Sequence, residues 1–358
     1  VAAEDMPRIS EDRRTGRDWR FETGHAVSWQ YAVQVKAEPL FNRHTPGRGT
    51  RRGTGRRDRC VAGCDPGNEA AMRLKGPIDT GQIEDRRGLS GGGLAVGGGG
   101  LGLVGLVVYL LVNLLGGGGN GTGVNQPQNF PAMPAAEQTA PPLSCPSGAS
   151  TNEECFVAGV VTDVQRSWQQ TFTQSGRTYQ RTKLVLFTGS TTSGCGPADS
   201  ATGPFYCPVD RKVYLDLGFF QELRDRFGAP GDFAQAYVIA HEFGHHVQNL
   251  LGIEGQVQQL MQQHPDQRNE LSVDLELEAD CLAGVWAHSA YDELDNGDMK
   301  EALTAAAAVG DDRLQQQATG HVDPDSFTHG TSAQRQHWLD TGYRSGDVNS
   351  CDTFSGNG

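Results

Sequence analysis

The chain has 358 residues, 37% of them apolar, and a formal net charge of −13 at pH 7, enough for a sizeable folded domain with appendages. The charge is uneven: residues 1–71 carry 13 Lys and Arg against 10 Asp and Glu, whereas residues 116–358 carry 13 against 30. An acidic surface of that kind argues against nucleic acid or an anionic lipid face as a direct partner of the larger part.

Residues 1–71 are arginine-rich, with Gly, Thr and Pro and without sustained apolar periodicity, and read as a disordered basic leader. Residues 72–93 follow as a short charged segment. Leu94 to Leu115 holds no charged residue and at about 20 residues is long enough to cross a bilayer as one helix. Arg86 and Arg87 stand just before it, and no Lys or Arg follows until Arg166. That asymmetry predicts a single-pass protein of the cell membrane, with a cytoplasmic N-terminal side and the large domain outside; a cleaved signal peptide is the other reading. Residues 116–146, rich in Gly, Asn, Gln and Pro, read as a flexible linker, and residues 147–358 as the extracytoplasmic domain.

Within that domain the periodicity predicts a helix over Phe156 to Phe172, with Val157, Val160, Val161, Val164 and Trp168 on one face. Lys183 to Thr188 and Lys212 to Leu217 read as strands; either is an exposed sheet edge to which an extended peptide adds, or both simply cover the core. Helices are expected from Asp232, as a cap, to a stop at Gly252, over Leu271 to Trp286, over Asp298 to Val309 and over Thr331 to Gly342. Trp168, Trp286 and Trp338 are core candidates. The fold class is α+β, mainly helical, with a small sheet beside the helix at 232–252.

That helix carries the chemistry. His241 and His245, four apart, share one face and can grip a single Zn²⁺ ion, while Glu242 reaches a water beside the metal as general base. A catalytic zinc keeps three protein ligands and one open position. Some proteases take a third histidine six residues beyond the second, after a glycine, but Gln248 and Leu251 stand in those places. The third ligand is therefore assigned to Glu276 on the following helix. Asp280, one turn on, would accept the free ring N–H of a ligating histidine, and small Ala279 would let the two helices approach. Asp274 and Glu278 read as a solvated acidic face.

Six cysteines, Cys145, Cys155, Cys195, Cys207, Cys281 and Cys351, follow the apolar segment, an even number suited to an oxidising compartment. They allow 15 pairings; proximity favours Cys145 with Cys155 and Cys195 with Cys207, leaving Cys281 for Cys351.

The histidine motif, the Glu276 to Asp280 run, the run Gly203-Pro204-Phe205-Tyr206-Cys207-Pro208 and the run Asp325 to Ser332 together resemble the bacterial neutral zinc metallopeptidases, from about Met72 to Phe354. The resemblance implies a membrane-anchored, zincin-like metallopeptidase with one zinc, acting on peptide or protein. It also implies that translation starts at Met72, where family members begin. His329, followed six residues later by Arg335, resembles a late element of glutamate-zincin membrane proteases. It is read either as a donor to the developing oxyanion or as a loop histidine ahead of the last helix. The competing function is a catalytically silent zincin-fold binding protein of the cell envelope. Substrate, cleavage specificity and oligomeric state are not written in these motifs.

Overall fold

The computed structural model describes residues 8–11, 19–22, 72–88, 143–145 and 152–355. The expected spanning segment 94–115 and most of the linker lie outside them; among the described residues no helix is long and apolar enough to cross a membrane. In the leader, β1 (Arg8–Glu11) and β2 (Trp19–Glu22) pair antiparallel, where the sequence reading expected no order.

The next strand, β3 (Ile83–Asp85), precedes α1 (Glu153–Gln174). Asn152 caps α1 by accepting the Cys155 N–H at 2.8 Å, and Glu153 and Glu154 occupy its first turn, where the helix dipole favours negative charge. Val157, Val160, Val161, Val164 and Trp168 all turn into the core. After α1 come β4 (Leu184–Phe187), the hairpin β5 (Ser190–Ser193) and β6 (Gly196–Asp199), then β7 (Phe205–Cys207) and β8 (Lys212–Asp216). The main sheet has the order β3-β4-β8-β7; β3 and β8 run parallel to β4, and β7 is antiparallel to β8.

One alternative is settled and one expectation corrected here. Lys183 to Thr188 and Lys212 to Leu217 contain strands that are both central, and among the described residues the edges are β3 and β7. Apolar side chains fill every position of β4 and all are buried, the pattern of a strand covered on both faces. Of residues 72–93, expected as a separate cytoplasmic segment, the described Met72 to Gly88 builds into the domain. Ile83, Glu84 and Asp85 pair with Leu184, Val185 and Leu186, Met72 is 1% exposed in the core, and Arg87 meets Glu154 of α1 at 2.7 Å. A chain crossing a bilayer once between residues 88 and 152 would part this strand from its neighbours. Residues 72–88 and 152–355 thus form one folded unit.

The helical half comprises α2 (Gly218–Asp225), α3 (Asp232–Leu251), α4 (Ile253–Gln263), α5 (Arg268–Ser289), α6 (Asp298–Ala308), α7 (Asp311–Thr319) and α8 (Ser332–Ser345). Gly231, not Asp232, is the N-cap of α3; the Asp232 carboxylate instead accepts the Met72 backbone N–H at 2.6 Å. Gly252, at φ 77°, ends the helix in the left-handed region that favours glycine. Thr331 starts α8 in a reciprocal capping box with Gln334. Disulfide bonds join Cys145 to Cys155, Cys195 to Cys207, and Cys281 to Cys351, the last tying the C-terminal segment to α5. Glu278 is not on a solvated face: it is 5% exposed and accepts a hydrogen bond from Gln248. Asp274, on the same helix, is only partly exposed, and burial, with Glu270 and Asp352 nearby, pushes its carboxyl up to about 8.

Candidate metal centre and active site

α3 and α5 approach so closely at Gly244 that a Cβ there would stand 2.9 Å from the Ala279 carbonyl oxygen, so this contact requires glycine. The approach turns His241 and His245 toward Glu276. His241 Nε2 lies 3.2 Å from Glu276 Oε2, and His245 Nε2 lies 3.6 Å from Glu276 Oε1. The two rings stand at 86° with centroids 4.8 Å apart. Donors at about 2.0–2.1 Å from a tetrahedral cation are roughly 3.4 Å from each other. The spacing and the chemistry of two imidazole nitrogens and one carboxylate both fit a catalytic zinc.

The rings are held from behind. His241 Nδ1–H donates to Asp280 Oδ1 at 2.9 Å, where the sequence reading placed that carboxylate. Asp280 is fully buried and also accepts from Tyr237 Oη at 2.6 Å and from Arg335 Nε at 2.7 Å and Nη2 at 3.0 Å. Burial works against a charged Asp280, yet Arg335 and His241 bring its carboxyl down to about 2. His245 Nδ1 is 2.8 Å from Gln248 Oε1. Burial also opposes a charged His245, but Glu276 outweighs it and pushes the imidazole up to about 10; Glu276 is held well below the usual carboxylate range, with burial again opposed by His245 and His329. Without metal these groups pair as imidazolium and carboxylate. A cation must displace the protons, so metal affinity falls as the pH is lowered.

Glu242, next to the first histidine, is 7% exposed and lines the same cleft. Burial, only partly offset by His241 and His245, raises its pKa above the ordinary carboxylate value, the direction that suits a base working near neutral pH. His329 lines the cleft too. Its Nδ1 is 3.2 Å from Asp311 Oδ1, and Asp311 Oδ2 accepts the backbone N–H groups of Thr328, His329 and Gly330 at 2.7, 2.6 and 3.1 Å. The loop is thus pinned on one carboxylate, which leaves Nε2 of His329 for the cleft.

The cleft encloses ≈ 250 Å³ and is walled by Phe205 and Tyr206 of edge strand β7, with Phe219, Val238, Met261 and Leu275. His246, the neighbour of a ligand, belongs to the core: Tyr206 Oη is 3.0 Å from its Nδ1, its Nε2 is 2.7 Å from Gln180 O, and burial pushes its imidazole down to about 4.

Tyr237, Arg335, Gln248 and Asp311 were not assigned roles from sequence. Tyr237 carried a signal, since it lies one turn before His241 on the same helix face. Arg335 reaches Asp280 across a separation of 55 residues, which no local spacing reveals. A second convergent group among the described residues, Asp232, Asp298 and Glu301, offers carboxylates only.

Two histidines from one helix, a glutamate from the next, and an inner glutamate beside the first histidine define the protein class of the metallohydrolases. The chain matches the family described as "Putative neutral zinc metallopeptidase" over residues 72–354, and it belongs to that family. It is 47% identical over 293 residues to the "Uncharacterized protein YpfJ" of Escherichia coli K12, covering 79% of this chain and 99% of that protein. It is 46% identical over 226 residues to the "Uncharacterized protein Rv2575" of Mycobacterium tuberculosis H37Rv, covering 59% and 74%. No solved structure matches.

Proposed function

We propose that the chain is a zinc-dependent, zincin-like endopeptidase whose centre is His241, His245 and Glu276, with Glu242 as general base. The observation that carries this reading is the convergence of those three donors at 3.2 and 3.6 Å with Glu242 lining the same cleft. Zinc held there would supply a Lewis acid that polarises the scissile carbonyl and acidifies water. Glu242 takes a proton from water as its oxygen bonds to the carbonyl carbon, then delivers that proton to the amide nitrogen as the C–N bond breaks. A carboxylate and an amine leave. His329 Nε2–H donates to the oxygen on which negative charge develops, and Asp311 holds the ring for that task.

An extended peptide would align along β7, whose outer edge has no partner strand among the described residues and whose Phe205 and Tyr206 border the cleft. The three disulfides favour a compartment outside the cytoplasm, with the apolar segment 94–115 as a membrane tether that returns to the face it entered, so that residues 72–88 lie on the same side as the domain. The test is a peptide library incubated with the purified protein, with and without a chelator. Internal cleavage that stops with chelator and returns with zinc is the expected result. Bound zinc without cleavage would favour the silent envelope binding protein.

A further inference from the structure

We infer that Gln248 and Glu278 are positioning residues for the metal, fixing the ring of His245 as Asp280 fixes that of His241. This rests on the metal-centre reading above and extends it to two residues outside the ligand set. Gln248 is fully buried and all its polar valences are used. One Nε2 hydrogen goes to Leu275 O at 2.7 Å, the other to Glu278 Oε2 at 2.8 Å, and Oε1 faces His245 Nδ1 at 2.8 Å.

Leu275 O can only accept, so turning the amide over would set oxygen against oxygen there. The amide orientation is therefore determined, and with it the tautomer. Oε1 must face His245, so Nδ1 carries the hydrogen, and the nitrogen left for a cation is Nε2, on the side of Glu276 3.6 Å away.

The run Glu276-Leu277-Glu278-Ala279-Asp280 then has a consistent physical reading. One helix provides the third ligand and the backing for both histidines: Asp280 directly, Glu278 through Gln248. The two braces differ in charge. His241 leans on a carboxylate neutralised by Arg335, His245 on a neutral amide that the buried carboxyl of Glu278 helps to hold in place.

The experiment is zinc affinity of the purified chain, by competition with a chromophoric chelator, alongside thermal unfolding of the metal-free protein. Gln248→Leu and Glu278→Leu should bind zinc about 10–100-fold more weakly while the metal-free chain still unfolds cooperatively. Glu278→Gln, whose Oε1 can accept from Gln248 Nε2, should bind nearly as tightly as the unaltered protein, which a loss of packing alone would not produce. Wild-type affinity in Gln248→Leu, or equal losses in Glu278→Gln and Glu278→Leu, would overturn the assignment. Should Gln248→Leu not fold, the two Glu278 variants decide. An unaltered chain that binds no zinc would overturn both this inference and the metal centre, whereas tight binding by wild type and variants alike would overturn only this one.

Discussion

The helical half and the sheet half of the domain are held by different means. Around the centre, α3, α5 and α8 are locked by a buried polar network, Tyr237, His241, Asp280 and Arg335, backed by the Cys281–Cys351 bond. The sheet is held by apolar strands and by residues 72–88, which precede the start of α1 at Glu153 by 65 positions or more and are brought back by pairing with β4. Precision at the metal belongs to the first half. The second owes its completeness to a segment remote in sequence.

Removing that segment should have the largest effect on stability. A chain beginning at Leu143 loses β3 and the core side chain Met72, a loss exceeding the roughly 2–5 kcal/mol of a single large-to-small core change. It should show no cooperative thermal transition; a transition near that of the longer chain would mean the sheet does not need β3. In cells, cysteines placed at exposed Lys75 and at exposed Gln174 should react alike with a membrane-impermeant maleimide, and labelling of only one would contradict the shared side.

Next in size is Arg335→Met. It leaves Asp280 buried beside His241 without its cation, a destabilisation of about 3–5 kcal/mol, read in denaturant titration. Cys281→Ser with Cys351→Ser opens a link spanning 70 residues and should remove about 2–4 kcal/mol. If both changes are silent, the helical half is held by something other than this network and staple.

The smallest effect concerns Asp274, whose carboxyl titrates near pH 8 in the folded chain against 3.8 when unperturbed. Between those values the unfolded chain releases the proton and the folded chain keeps it, so this group lowers stability as pH rises through that window. Asp274→Asn should therefore gain about 1–3 kcal/mol at pH 8 and nothing at pH 4. A gain of equal size at both would rule out titration as the cause.

The contrast between halves also explains what could be read from residues alone. His241 with His245, and Glu276 with Asp280, obey the four-residue rule of a single helix, and the helices carrying them had clear apolar faces. The edges did not: β3 and β7 are three residues long, too short to leave an alternation, and a strand's place in a sheet is set by partners far along the chain. Glu278 shows the opposite difficulty. Its place in an acidic run suggested solvent, and only the arrival of Gln248 from α3 makes its burial intelligible.

The central claim is tested most directly by Glu242→Gln, purified and measured for zinc content and peptide hydrolysis together. The account predicts one zinc per chain, as in the unaltered protein, and a rate lower by about 10²–10⁴. Hydrolysis at the unaltered rate with zinc still bound would contradict it.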